Sequence, residues 1–325
     1  MTRYTVFIVL VGGLLACAER ELPQRGEGIE ILELVRSRTA SLSDTAGPFF
    51  QNLRSMAPWK DSLAVVDMEG PVVIVLPWSL EGGREFGSSG QGPGELRRPQ
   101  GVAVVGDTLV VFDRGNARLT WFDPDGEFLY SRQLMILGIF PSFHPRSGGV
   151  IVVPSGMPSH YALIDSAGAQ VPILPRQEEG EPATDSPITS NLVVSTAEGF
   201  AVVDTENGRV VYEGSFGESI SFSIPAELRA GIDQRLDSLR AQDPARERVL
   251  NPIFAAGEAP GGVLVWFTAR GNPAGAVVDR AGAWRAITAR EGLEELPANP
   301  FGVLLREQEL FLLTSDGVRV FRVSG

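Results

Sequence analysis

The chain has 325 residues, with 40 acidic and 28 basic side chains and a formal charge of −12, which argues against a nucleic-acid polyanion as partner. Apolar residues make up 43%, enough for a large core, while 37 glycines and 23 prolines are dense punctuation for any helical architecture. One cysteine excludes disulfides within the chain and cysteine-cluster metal sites, and two histidines leave little for a zinc enzyme to use.

From the first residue onward, Arg3 precedes an apolar run from Val6 to Ala16, and Cys17 follows directly. A membrane-crossing helix needs roughly 20 apolar residues, and this run ends at Ala18-Glu19-Arg20, so it reads as an export signal. The segment Leu14-Leu15-Ala16-Cys17 resembles the box that closes a bacterial lipoprotein signal. That resemblance implies a signal peptide over residues 1–16, removal of it, and lipidation of Cys17. Several acyl chains on one residue give firm anchoring where a single chain is marginal. Ala18, in place of Asp, implies a periplasmic or outer-membrane address in the cell envelope. Residues 17–28 are charged, poor in apolar groups, and expected to be a flexible tether.

Beyond the tether, short β-branched or aromatic runs alternate with Gly, Pro, Asp and Asn, an all-β signature. Runs ending in an acidic turn recur at Asp123, Asp165, Asp204 and Asp279, spaced 42, 39 and 75 residues apart. Asp opens such turns through its own side-chain hydrogen bond, and Gly or Asn supplies positive φ. A second series starts at Leu63, Leu109, Val150, Leu192, Val263 and Leu310, spaced 46, 41, 42, 71 and 47. The same interval is long in both series. It contains residues 224–248, where Leu228, Ile232, Leu236 and Leu239 fall at helical spacing behind Pro225, which predicts one inserted amphipathic helix.

Units of about 40–45 residues with about four short strands each mark a β-propeller. The prediction is a six-bladed propeller of four-stranded blades over residues 29–325. The last unit holds only three strand segments, Phe301–Leu305, Glu309–Thr314 and Val318–Val323. The apolar segment Ile29–Val35 is therefore expected to supply the fourth and to close the ring, which removes unpaired strand edges.

The stretch Gly90–Phe128 is the most specific. Gly90-Gln91-Gly92-Pro93-Gly94-Glu95, Pro99-Gln100-Gly101-Val102, then Asp113, Asn116, Arg118, Phe122-Asp123 and Gly126 resemble the NHL-type repeat of bacterial six-bladed propeller lipoproteins. Such families include scaffolds and binding proteins, and related propellers include lactonases and lyases, so fold alone does not choose a function.

Motifs for chemistry are sparse. The glycines at 90, 92 and 94 lack the Lys and the helix start of a phosphate loop and read as an inter-blade turn. Asp113, Asn116 and Arg118 read first as a turn network with a local ion pair. His144 and His160 belong at opposite ends of the ring, so a shared metal is not expected. One coincidence stands out: Arg114-Gly115-Asn116 and Arg270-Gly271-Asn272 both follow the second strand of their units, in blades facing each other across the ring. With His160 at the same end, Arg114, Asn116, Arg270 and Asn272 are the ligand-binding candidates, and two guanidiniums could clamp a small anion. The favoured function is a monomeric, lipid-anchored binding or scaffold module for a glycan, peptide or protein, with no catalytic residue and no cofactor assigned. The alternatives are a metal-dependent lactonase-like hydrolase, which keeps a divalent metal open, and a small-anion-binding protein.

Overall fold

The computed structural model of the chain describes residues 29–41, 50–134, 142–146, 149–153, 161–165, 170–173, 192–196, 199–214, 219–242, 250–268, 271–289 and 296–324. The signal, Cys17 and the tether lie outside the described residues, as do His160, Arg270 and the turn after Asp165.

Strand β1 (Glu30–Ser41) is followed by a meander of β2 (Leu53–Trp59), β3 (Ser62–Asp67), β4 (Val72–Pro77) and β5 (Arg84–Phe86). A short parallel pair, β6 (Ser88–Ser89) and β7 (Glu95–Leu96), leads to the second meander. This comprises β8 (Pro99–Val105), β9 (Thr108–Asp113), β10 (Arg118–Phe122) and β11 (Phe128–Gln133). The third contains β12 (Ser142–Arg146), β13 (Gly149–Val153), β14 (Tyr161–Asp165) and β15 (Gln170–Ile173). The fourth contains β16 (Leu192–Thr196), β17 (Gly199–Asp204), β18 (Arg209–Gly214) and β19 (Ser219–Ser223). Helix α1 (Ala226–Gln242) intervenes before β20 (Ile253–Ala259), β21 (Gly262–Phe267), β22 (Gly275–Asp279) and β23 (Trp284–Thr288). The chain ends with β24 (Gly302–Arg306), β25 (Glu309–Thr314) and β26 (Gly317–Ser324).

Each of the first four meanders forms its own four-stranded antiparallel sheet, while the last seven strands and β1 share one eight-stranded sheet ordered β20-β21-β22-β23-β1-β26-β25-β24. The N-terminal segment thus pairs with the last unit as expected, but does more. Glu33–Ser41 run antiparallel to β26, while Glu30–Glu33 run parallel to β23 of the preceding unit. First strands neighbour one another in sequence, β2 to β8, β12, β16, β20 and β24, and β24 returns to β2.

The core lies in layers between successive sheets, and this explains the sequence pattern. In β3, Leu63 and Val65 pack against Phe311, Leu313 and Val320 of the last unit, whereas Ala64 and Val66 pack against Val102, Val111 and Phe122 of the second. In β21, Val263, Val265 and Phe267 face the fourth unit and Leu264 and Trp266 face the last. A sheet buried on both faces needs near-continuous apolar runs in place of alternation. The contact of the last unit with the first closes the order of layers among the described residues.

Turn chemistry follows the acidic pattern. Asp123 Oδ1 accepts the N–H groups of Asp125 and Glu127, both at 2.9 Å, and Asp279 Oδ1 accepts those of Ala281 and Ala283 at the same distance. Gly126 completes the first turn with φ of +88°, a conformation that L side chains rarely adopt. Helix α1 buries Leu228, Ile232 and Leu236 of the predicted stripe beside the fourth and fifth units, while Leu239, its fourth member, is only partly buried. It ends at Gln242, and residues 243–249 lie outside the described residues.

Candidate functional site

Of the candidates chosen from sequence, Arg114, Asn116 and Asn272 lie at the end of the molecule that carries the second-to-third strand turns. Arg114, Gly115 and Asn116 form a single 3-10 turn after β9, closed by Ala117 in the left-handed region. The Asn116 amide donates to Asp113 Oδ2 at 2.6 Å and to the Gly90 carbonyl at 2.9 Å. Arg118 completes the clasp. Its Nε donates to Asp113 Oδ2 at 3.1 Å, and its terminal nitrogens donate to the carbonyls of Gln91, Gly92 and Glu95. Gly90 has φ of +157°, a conformation that L side chains rarely adopt, and a Cβ on it would displace the Glu95 carboxylate. Burial pushes the Asp113 carboxyl above its ordinary range, against the opposing pull of the Arg97 N–H, Asn116 and Arg118. The motif that resembles the NHL repeat therefore fastens one unit to the connection entering it.

The second Arg-Gly-Asn element is equally committed at its asparagine. Asn272 Nδ2 donates to the Ala289 carbonyl at 3.2 Å, and its Oδ1 accepts the Ala289 N–H at 3.4 Å. Arg235 of α1 lies over Gly271 and donates to the Pro273 carbonyl at 2.9 Å, and Arg229 donates to the Asn207 carbonyl at 3.0 Å. The inserted helix thus sits over this end. Both asparagine amides hold their own loops. His144 occupies β12, where its backbone pairs with Ile151.

A feature that sequence reasoning missed lies at the opposite end. There the first-to-second turns and the outgoing ends of β2, β16, β20 and β24 surround a cavity of about 640 Å³. Lys60, at the tip of the β2–β3 turn, is exposed and adopts φ of +53°. Two guanidiniums in the wall are laid on aromatic rings: Arg306 stands 4.4 Å from the Trp78 ring centre, and Arg280 stands 5.5 Å from that of Tyr212. Such contacts are worth about 0.5–2 kcal/mol, depending on desolvation. Arg306 also meets Glu307 at 3.4 Å. The Tyr212 hydroxyl donates to the Val278 carbonyl at 2.5 Å, and burial pushes its pKa up to about 12.

Glu258 differs from these neighbours. It is the penultimate residue of β20, is partly buried in the cavity wall, and its carboxylate makes no hydrogen bond or ion pair among the described residues. Burial alone raises its carboxyl above the usual range. Thr196, the last residue of β16, also lines the cavity, and its buried Oγ1 has no hydrogen-bond partner among the described residues. Among the described residues no three His, Cys, Asp or Glu side chains gather at one point. No described helix is long and apolar enough to cross a membrane.

Comparison with known proteins places the fold in the β-propeller class. A candidate exported protein from Bacteroides fragilis superposes with TM-score 0.56 at 12% identity, over 90% of this chain and 95% of its own. Virginiamycin B lyase from Staphylococcus aureus does so with TM-score 0.53 at 8% identity, over 90% and 99%. The β-propeller domain of Cps50 (Swd1) from Myceliophteria thermophila gives 0.50 at 10% identity, over 90% and 100%. Identities this low show the fold alone. No protein-family model and no curated protein matches the chain.

Proposed function

We propose that the chain is an exported, lipid-anchored six-bladed propeller whose Lys60 end binds a glycan, peptide or protein partner. The cavity carries this reading. Its volume lies within the roughly 300–1,000 Å³ range of ligand sites, and it combines aromatic walls with a few convergent polar groups. The six-blade count is supported by the cyclic order of first strands and by the eight-stranded sheet, read as two blades joined through β1. The apolar run before Cys17 supports the anchor, and the likeness to a candidate exported protein is in keeping with export.

Two measurements test this. Metabolic labelling with a palmitate analogue should mark the wild-type chain and not Cys17→Ser; equal labelling removes the anchor. Binding to arrayed oligosaccharides and peptides should be lost in Trp78→Ala and Arg306→Glu and kept in Arg114→Ala. The reverse pattern would return the site to the opposite end.

A further inference from the structure

We infer that the cavity at the Lys60 end recognises a primary ammonium group, with Glu258 as its anchor. The inference rests on reading the cavity as a binding site and names the chemistry it takes.

The lining cations are already served. Arg306 has the Trp78 ring and Glu307, Arg280 has the Tyr212 ring, and Lys60 stands in solvent at a turn tip. The Tyr212 hydroxyl is spent on Val278. Of the two lining carboxylates, Glu307 has Arg306, which leaves Glu258 as the acidic group without a partner among the described residues. A partly buried carboxylate without donors is costly to keep, and so is the buried Thr196 Oγ1 on the neighbouring first strand β16. Both groups can accept hydrogen bonds. A primary ammonium brings one positive charge and three donors, so a head group paired with the Glu258 carboxylate keeps donors for other acceptors of the lining. The formal charge of −12 also draws cations toward the protein.

Two sources share this chemistry, an amino sugar and a free peptide N-terminus. The full chain in detergent is titrated calorimetrically with glucosamine and with tri-alanine amide, each beside its N-acetylated form. The free amine of at least one source should bind, and acetylation should weaken it about 10- to 100-fold, the scale of a lost charge-assisted hydrogen bond. Glu258→Gln, which keeps the side chain's shape, should cause a similar loss, and Thr196→Val a smaller one. Both variants are checked for an unchanged thermal melt. Equal binding of free and acetylated forms, or undiminished binding to Glu258→Gln, overturns the ammonium assignment. If amines fail while an anion such as citrate binds and is lost in Arg306→Ala, the ligand class is wrong and the cavity reading survives. If neither class binds, both fall.

Discussion

Strand β1 ties the two ends of the chain together, and its alternation gives a sharp stability test. Leu32 and Leu34 are 6% and 5% exposed, whereas Ile31 between the same neighbours is 62% exposed. Leu32 stands opposite Ile287 in β23 and Leu34 opposite Val323 in β26, and all four residues belong to one apolar layer. Leu32→Ala therefore loosens the junction with the fifth unit, and Leu34→Ala the junction with the last. Each removes a buried isobutyl group and should cost about 2–5 kcal/mol through lost transfer energy and a residual cavity. Ile31→Ala should cost under about 0.5 kcal/mol, as expected for an exposed position. The buried pair together approaches about 4–10 kcal/mol, comparable with the roughly 5–15 kcal/mol that holds a native protein folded. The double variant should accordingly melt far below the wild type and be cut readily by protease. Urea denaturation followed by tryptophan fluorescence measures all four chains. An Ile31→Ala loss as large as either leucine's, or a double variant with a wild-type midpoint, would refute the view that this strand fastens the ring.

Three further outcomes follow from other parts of the fold. Asp113→Ala removes the counter-charge of Arg118, whose side chain is only 12% exposed, and the acceptor of the Arg97 N–H and the Asn116 amide, and should cost about 3–5 kcal/mol; a loss below about 1 kcal/mol in urea would show that the clasp is marginal. With its pKa pushed up to about 12, Tyr212 stays neutral after the unfolded chain's tyrosines ionise near pH 10. Its contribution is thus complete below about pH 10 and is lost as pH rises through about 12, so Tyr212→Phe should flatten that alkaline decline in thermal stability. An unchanged decline would assign it to other groups. Lys60 is the single lysine of the sequence, and an environment-sensitive dye attached there should change emission when glucosamine or tri-alanine amide enters the cavity; binding seen by calorimetry without a dye response would place the ligand elsewhere.

The repeat was legible because its sheets are buried on both faces. In the first, second and fifth units the second strand is a buried apolar run, so Leu63–Asp67, Leu109–Asp113 and Val263–Phe267 announced themselves. In the fourth unit Leu192 begins the first strand, β16, and the second strand, β17, is less continuously buried, so the series slips by one strand there. Helix α1 was legible for the complementary reason, since a single buried stripe at Leu228, Ile232 and Leu236 leaves a 3.6-residue period. The double pairing of β1 was not, because the register of a strand against distant partners leaves no local mark. Its apolar pattern stops at Val35, while backbone pairing with β26 continues to Ser41. The cavity was hidden more completely. Its walls come from four units, between Pro58 and Glu307, and no spacing relates them. In the two Arg-Gly-Asn elements the asparagine amides brace turns, a role that the repeated tripeptide did not by itself distinguish from ligand binding.

The division of labour between the two ends has a physical basis. Where the second strand finishes, a buried polar side chain ties the connection entering the unit. Asp67 accepts the N–H groups of Gln51 and Asn52, Asp113 accepts that of Arg97, and Thr268 donates to the Asn251 carbonyl. These connections run between units, where strand pairing cannot satisfy their backbone groups, and so they consume the local polar side chains. The opposite end carries short turns within single sheets, whose ladders already satisfy the backbone. Its side chains are released from that duty, and Glu258 can face the cavity unpaired without loosening the ring. A binding residue is therefore expected where the fold makes the fewest demands, which in this chain is the Lys60 end.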